Sequence, residues 1–122
     1  MTYIYSFEKL HVWHEARTMV MLLYTVSKRL PDAEKYGLIS QMRRASISVV
    51  SNIAEGSGRT SPKDQAHFYQ LAFSSLIELL KQLIISCDLG FVTVDEIKTL
   101  RLQIEMVSNK LNSLRKSRFA KV

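Results

Sequence analysis

One cysteine, two prolines and four glycines in 122 residues withhold the material from which several classes of protein are built. With Cys87 alone no intrachain disulfide can form, so the core must stabilise the chain, and the usage suits a reducing cytoplasm, the expected location. So little glycine and proline gives too few turn signals for a many-stranded fold, and no stretch alternates apolar and polar residues with period two. The opening MTYIYSFEKL lacks the basic start and continuous apolar run of a signal peptide. The most apolar segment, Leu71 to Val92, is interrupted by Glu78, Lys81 and Asp88. A spanning helix needs about 20 residues nearly free of charge, so no membrane partner is expected. Acids are the scarcer sign, 11 against 17 Lys and Arg, for a net charge of +6 that favours anionic partners, nucleic acid first.

What is present is helical pattern, in four runs. Helices are expected at about 7–30, 33–55, 62–89 and 94–116, followed by a basic tail at 117–122, all in one domain spanning 1–122. In the first, Ser6 is the expected N-cap, Val12, Trp13, Ala16, Val20, Leu23, Val26 and Leu30 recur at helical spacing, and Pro31 ends the run. The second carries the stripe Leu38, Met42, Ala45, Val49 and Ile53, with Asp32 as cap and Gly56 as the left-handed residue that stops it. The third opens on Ser61-Pro62, a cap followed by proline at the first helical position, and closes at Gly90. It is apolar around most of its circumference, which calls for cover on more than one side and suggests a subunit interface, with a loosely covered core helix as the alternative. The fourth opens on the capping box Thr93-Val94-Asp95-Glu96 and bears a seam of Ile97, Leu100, Ile104, Val107, Leu111 and Leu114. Short loops between helices of similar length imply an all-α, antiparallel up-down-up-down four-helix bundle.

Catalytic chemistry finds little support, and no catalytic residue, metal site or cofactor is expected. His11, His14 and Glu15 stand in the order H-x-x-H-E, which is not the zinc-protease order, and no third ligand is marked. GSG before Arg59 lacks the remainder of a phosphate-binding loop. Some four-helix bundles are metal-independent ribonucleases with an Arg and a His about one to two helical turns apart; the nearest pair here, Arg59 and His67, has seven residues between and Arg59 in a loop, so the spacing fails. Arg43, Asn52, Glu55 and Glu78 are expected to serve structure: Arg43 by pairing with Glu78 across helices, Asn52 and Glu55 by bonding backbone around Gly56. Arg44, Arg59 and Lys63, with Lys110, Arg115, Lys116, Arg118 and Lys121 of the acid-free C-terminal segment, are the candidate nucleic-acid contacts, since guanidinium and ammonium groups match phosphate. No aromatic cluster for stacking bases is evident.

Three stretches, FEKLHVW, LPDAEKYGLISQMRRASISVVSNIAEGSGR and FYQLAFSSLIELLKQLIISCDLGFV, resemble the four-helix-bundle proteins of the 23S rRNA intervening-sequence type. The resemblance covers roughly residues 7–116, and its most specific portion is Q-x-R-R-A-x-x-S-x-x-x-N-I-A-E-G, Gln41 to Gly56. It implies a left-handed antiparallel bundle that assembles with copies of itself into a ring, a homopentamer. A related bundle, the accessory protein of diversity-generating retroelements, is a basic pentameric barrel that works with RNA and a reverse transcriptase. By that analogy RNA or DNA is the expected ligand, and a scaffold that binds a protein partner is the alternative. Ser74 stands where the family commonly has glycine, a departure expected to loosen the approach of the second and third helices.

Overall fold

The computed structural model describes residues 2–122, which form four long helices and, among those residues, no strand. They are α1 (His11–Ser27), α2 (Leu38–Ser57), α3 (Pro62–Asp88) and α4 (Lys98–Phe119), with short 3₁₀ turns at Ser6–Lys9 and Asp32–Glu34. α1 packs on α2 and α4, and α3 packs on the same two helices, so the four enclose one core. Met19, Leu23, Met42, Ile53, Leu76, Leu79, Leu83, Leu100 and Leu111 are fully buried in it, each such side chain contributing about 1.5–3 kcal/mol of transfer free energy.

Local chemistry sets the helix ends, and several differ from expectation. Ser6 does not cap α1. The Glu8 carboxylate accepts the Tyr5 N–H at 2.7 Å and holds Ser6–Lys9 as a separate turn. Leu10 is extended (φ −83°, ψ 124°), so α1 starts only at His11. Beyond Ser27 the bonds become i→i+3 (Arg29 N–H to Val26, Leu30 N–H to Ser27), and the chain turns while Leu30 stays buried. The buried seam of α1 runs Val12, Ala16, Met19, Leu23, Val26, alternating four and three; Met19, and not the half-buried Val20, faces the core. Residues 33–37 are not part of α2, because the Asp32–Glu34 turn closes on itself and α2 begins after Gly37.

Gly56 does not stop α2. The helix runs on to Ser57, and Gly90 is the one described residue with positive φ (78°). Gly56 instead admits the Tyr69 ring: a Cβ there would lie 2.5 Å from its Cε1. The α2–α3 approach is therefore close, and Ser74 does not loosen it, because its side chain is exposed. Ser75 faces α2 and shares a hydrogen bond with Ser48 at 2.8 Å.

The other caps form as the spacing requires. Ser61 Oγ accepts the Asp64 N–H (3.1 Å) with Pro62 at the first helical position. At the far end of α3 the Phe91 N–H reaches Ser86 O and the Gly90 N–H reaches Cys87 O, the paired bonds of a Schellman stop. Thr93 and Glu96 cap each other reciprocally (3.0 and 3.1 Å), but this box closes a turn and α4 begins at Lys98. α4 continues to Phe119, through half of the expected tail, and the seam from Ile97 to Leu111 is buried. By length and composition alone α3 could cross a membrane. Here Leu76, Leu79 and Leu83 lie within the core, while Leu71, Ile77, Ile84 and Ile85 are exposed.

Candidate nucleic-acid interface

The cations marked by the sequence divide into those tied to the bundle and those left open. One residue step turns a helix by about 100°, so Arg43 and Arg44 face different neighbours. Arg43 turns toward α1: its Nε donates to the buried Ser27 Oγ at 3.0 Å, and its guanidinium lies 4.6 Å from the Tyr24 ring centroid. The expected Arg43–Glu78 pair is not formed, because direction around α2 decides and Arg43 points away from α3. Arg44, with Gln41 and Ser48, lines the α2–α3 groove that Glu78 enters, and Glu78 accepts from Gln82 Nε2 at 3.3 Å.

Asn52 and Glu55 also differ from expectation, since neither bonds the loop backbone. Asn52 Nδ2 reaches back one turn to Ser48 O and Oγ (2.9 and 3.1 Å), and Glu55 pairs with Arg59 (3.2 Å). Arg59 is further engaged over Phe68, 4.5 Å from its centroid, and Phe68 also has His67 edge-on.

The C-terminal cluster does not present a uniform basic face. Lys110 Nζ donates to Glu15 Oε1 at 3.1 Å, joined by Gln103, which donates to Glu15 Oε2 at 2.9 Å. The Gln103 bond first, and Lys110 second, hold the Glu15 carboxyl below its ordinary value. Arg115 donates to Gln70 Oε1 and Asn112 Oδ1 and lies over Phe73, so it joins α4 to α3. Arg118 is half-buried; burial pushes the Tyr69 phenol above its ordinary value, and the positive charge of Arg118 opposes that shift without cancelling it. Lys63, Lys116 and Lys121 are exposed, and among the described residues Arg44 and these three lysines make no salt bridge.

The structure brings together what the sequence separates. Lys35, Arg43 and Arg44 meet at a cleft of about 440 Å³ between α1 and α2, lined also by Tyr24, Tyr36 and Ile47 and by no acidic residue. Lys35 and Tyr36 lie in the connection between α1 and α2, and Tyr24 stands on α1, so no spacing rule joins them to the Arg pair. The only sequence signal was an aromatic residue next to a lysine before Gly37. A second aromatic group forms near the N-terminus, where Tyr3 and Tyr5 meet edge to face (4.8 Å) and Phe7 meets Trp13 in the same way (4.8 Å), with Arg17 over Trp13. The rings thus meet one another in contacts that the sequence did not mark.

The remaining reactive groups are quiet. Cys87 is half-buried, and burial first, then Asp88, pushes its thiol above the ordinary value, which disfavours the thiolate. His14 Nε2 is bonded to the Glu8 carbonyl oxygen, and among the described residues no three His, Cys, Asp or Glu side chains are grouped to hold a metal ion. What the surface offers chemically is cation and aromatic contact. A family model described as 23S rRNA-intervening sequence protein matches residues 8–113. No curated protein matches the chain.

Proposed function

The chain belongs to the 23S rRNA-intervening sequence protein family, and from that footing we propose that it is a non-enzymatic cytoplasmic RNA-binding bundle that works as a homo-oligomer. The observation that carries the reading is the α1–α2 cleft, where Lys35, Arg43 and Arg44 converge in a lining that contains no acidic residue, Glu78 standing in the α2–α3 groove on the other side of Arg44. Three cations held at one place form a ready contact for phosphate, and the net charge of +6 adds long-range attraction.

The helices in this reading run up-down-up-down. Contacts Gly56–Tyr69, Ser48–Ser75 and Met42–Ser86 are nested, rising along α3 as they fall along α2, which supports an antiparallel pair. Arg29–Glu96 and Glu15–Lys110 support the same for α1 and α4. The left hand of the bundle and a ring of five copies rest on the family resemblance. Self-association draws its support from α3, where Ile77, Ile84 and Ile85 are exposed and would gain cover from a neighbouring copy. The same face favours the alternative, a scaffold that binds a protein partner.

Equilibrium binding of the purified protein to structured and unstructured RNA, across a salt series, tests the reading. Micromolar or tighter binding at about 50 mM salt that weakens steeply as salt rises is expected. No binding at that salt to any RNA would overturn it, and recovery of one protein in a nuclease-treated pull-down would then favour the scaffold.

A further inference from the structure

We propose that the α1–α2 cleft is a site for one unpaired nucleotide of RNA or DNA, taking its phosphate on Lys35, Arg43 and Arg44 and its base against Tyr36. The inference rests on the nucleic-acid reading above and sharpens it from a charged surface to a single-strand site.

Electrostatics alone would favour a duplex, whose phosphates are more densely spaced than those of a single strand. The cleft has features that charge does not require. Tyr36 stands at its rim with 88% of its surface exposed, and the Lys35 ammonium lies 5.6 Å from its ring centroid. A tyrosine so exposed has no packing role in the monomer, and its ring face is open to a second planar group. Ile47, also in the lining, is 43% exposed and gives the cleft an apolar wall. A base already stacked in a duplex offers its edges in the grooves, whereas an unpaired base offers a face to an aromatic ring.

The cations are placed for the backbone beside such a base. Arg43 is fixed in direction by the Ser27 Oγ bond to its Nε and by the Tyr24 ring under its guanidinium. That leaves its two terminal nitrogens available in a set orientation, the fork that matches phosphate oxygens. Arg44 and Lys35 are exposed beside it and can close on the same or the adjoining phosphate. At about 440 Å³ the cleft has the size of a small-ligand site. The shared chemistry is one planar base and its flanking phosphates, and ribose against deoxyribose is left to the experiment.

The test is fluorescence anisotropy on the full chain with labelled oligonucleotides of one length: unstructured RNA, the matching DNA strand and the RNA duplex. The single strands should bind more tightly than the duplex. Tyr36→Ala should weaken single-strand binding by roughly 5- to 150-fold, the effect of losing one base–aromatic stack, while the salt slope stays as in the wild type. Tyr36→Phe should retain most of the affinity. Because Tyr36 is exposed, circular dichroism of both variants should match the wild type. Duplex binding equal to or tighter than single-strand binding, or a Tyr36→Ala protein with undiminished affinity, would overturn the single-strand site and leave the nucleic-acid reading intact. Failure of every oligonucleotide to bind at low salt would overturn both.

Discussion

Replacing Gly56 with alanine should destabilise the protein, although the same change in an ordinary helix would stabilise it. Gly56 lies in the last turn of α2 and is buried. Alanine in a helix gains about 0.5–1 kcal/mol over glycine by restricting the unfolded chain. Here the new Cβ would meet Tyr69 Cε1 at 2.5 Å and Cδ1 at 2.8 Å, well inside the carbon–carbon optimum of about 3.5–4.0 Å. Tyr69 is 2% exposed, so its ring cannot swing aside into solvent. Overpacking of a buried site costs about 1–3 kcal/mol, and contacts this short against a buried ring place it at about 2–3 kcal/mol, leaving a net loss of about 1–2.5 kcal/mol. For a chain of this length that lowers Tm by about 4–10 °C, read by far-UV circular dichroism. Gly58→Ala is the control: the nearest atoms to its Cβ are backbone oxygens at 3.7 and 3.8 Å, an ordinary contact, so stability should be unchanged or slightly raised. A Gly56→Ala protein melting at or above the wild type would refute the close α2–α3 approach.

Three further outcomes are expected. Ser61→Ala removes the Oγ that accepts the Asp64 N–H at 3.1 Å and should cost about 1 kcal/mol by chemical denaturation; an unchanged midpoint would show that this cap contributes nothing. Glu15 and Glu96 are held below the ordinary carboxylate value, Glu15 by Gln103 and Lys110, Glu96 first by the Thr93 backbone N–H. A depressed folded pKa stabilises the protein above the unfolded value and loses that effect as pH falls through the folded one. Glu15→Gln/Glu96→Gln should therefore melt below the wild type at neutral pH, with the gap closing as pH falls below the ordinary carboxylate range and through the lowered folded values, whereas a constant gap would contradict the linkage. Light scattering at micromolar concentration should give a mass several times the 14.0 kDa of one chain, and Ile77→Asp/Ile84→Asp should reduce it; a monomeric wild type would remove the proposed role of the α3 face.

The elements were legible wherever one local signal settled them. Ser61-Pro62 and Gly90 bound α3 as the sequence indicates, and the α4 seam is buried from Ile97 to Leu111. Ends that depend on competing partners were not: Glu8 bonds back to Tyr5, and so the first helix begins five residues beyond its apparent cap at Ser6. Gly56 shows why a residue type does not disclose its role. Glycine serves both a left-handed stop and a close approach, and only the position of Tyr69 distinguishes them. Arg44 was visible as a candidate contact. Its partners Lys35 and Tyr36 were not, because they reach the cleft through the turn between α1 and α2. Conversely, Arg115, Arg118 and Lys110 read as a free basic segment, yet Arg115 and Lys110 meet Gln70 and Glu15 on other helices and Arg118 is half-buried.

The central claim is that the cations of the α1–α2 cleft hold phosphate, and the salt dependence of RNA affinity in the wild type and in Lys35→Ala/Arg44→Ala tests it most directly. Each phosphate neutralised on a single strand contributes a slope of about −0.7 in log affinity against log salt. Loss of two such contacts predicts a slope shallower by roughly 1.4 and weaker binding at low salt. A variant that keeps both the wild-type slope and the wild-type affinity would place the phosphate contacts elsewhere and contradict the account.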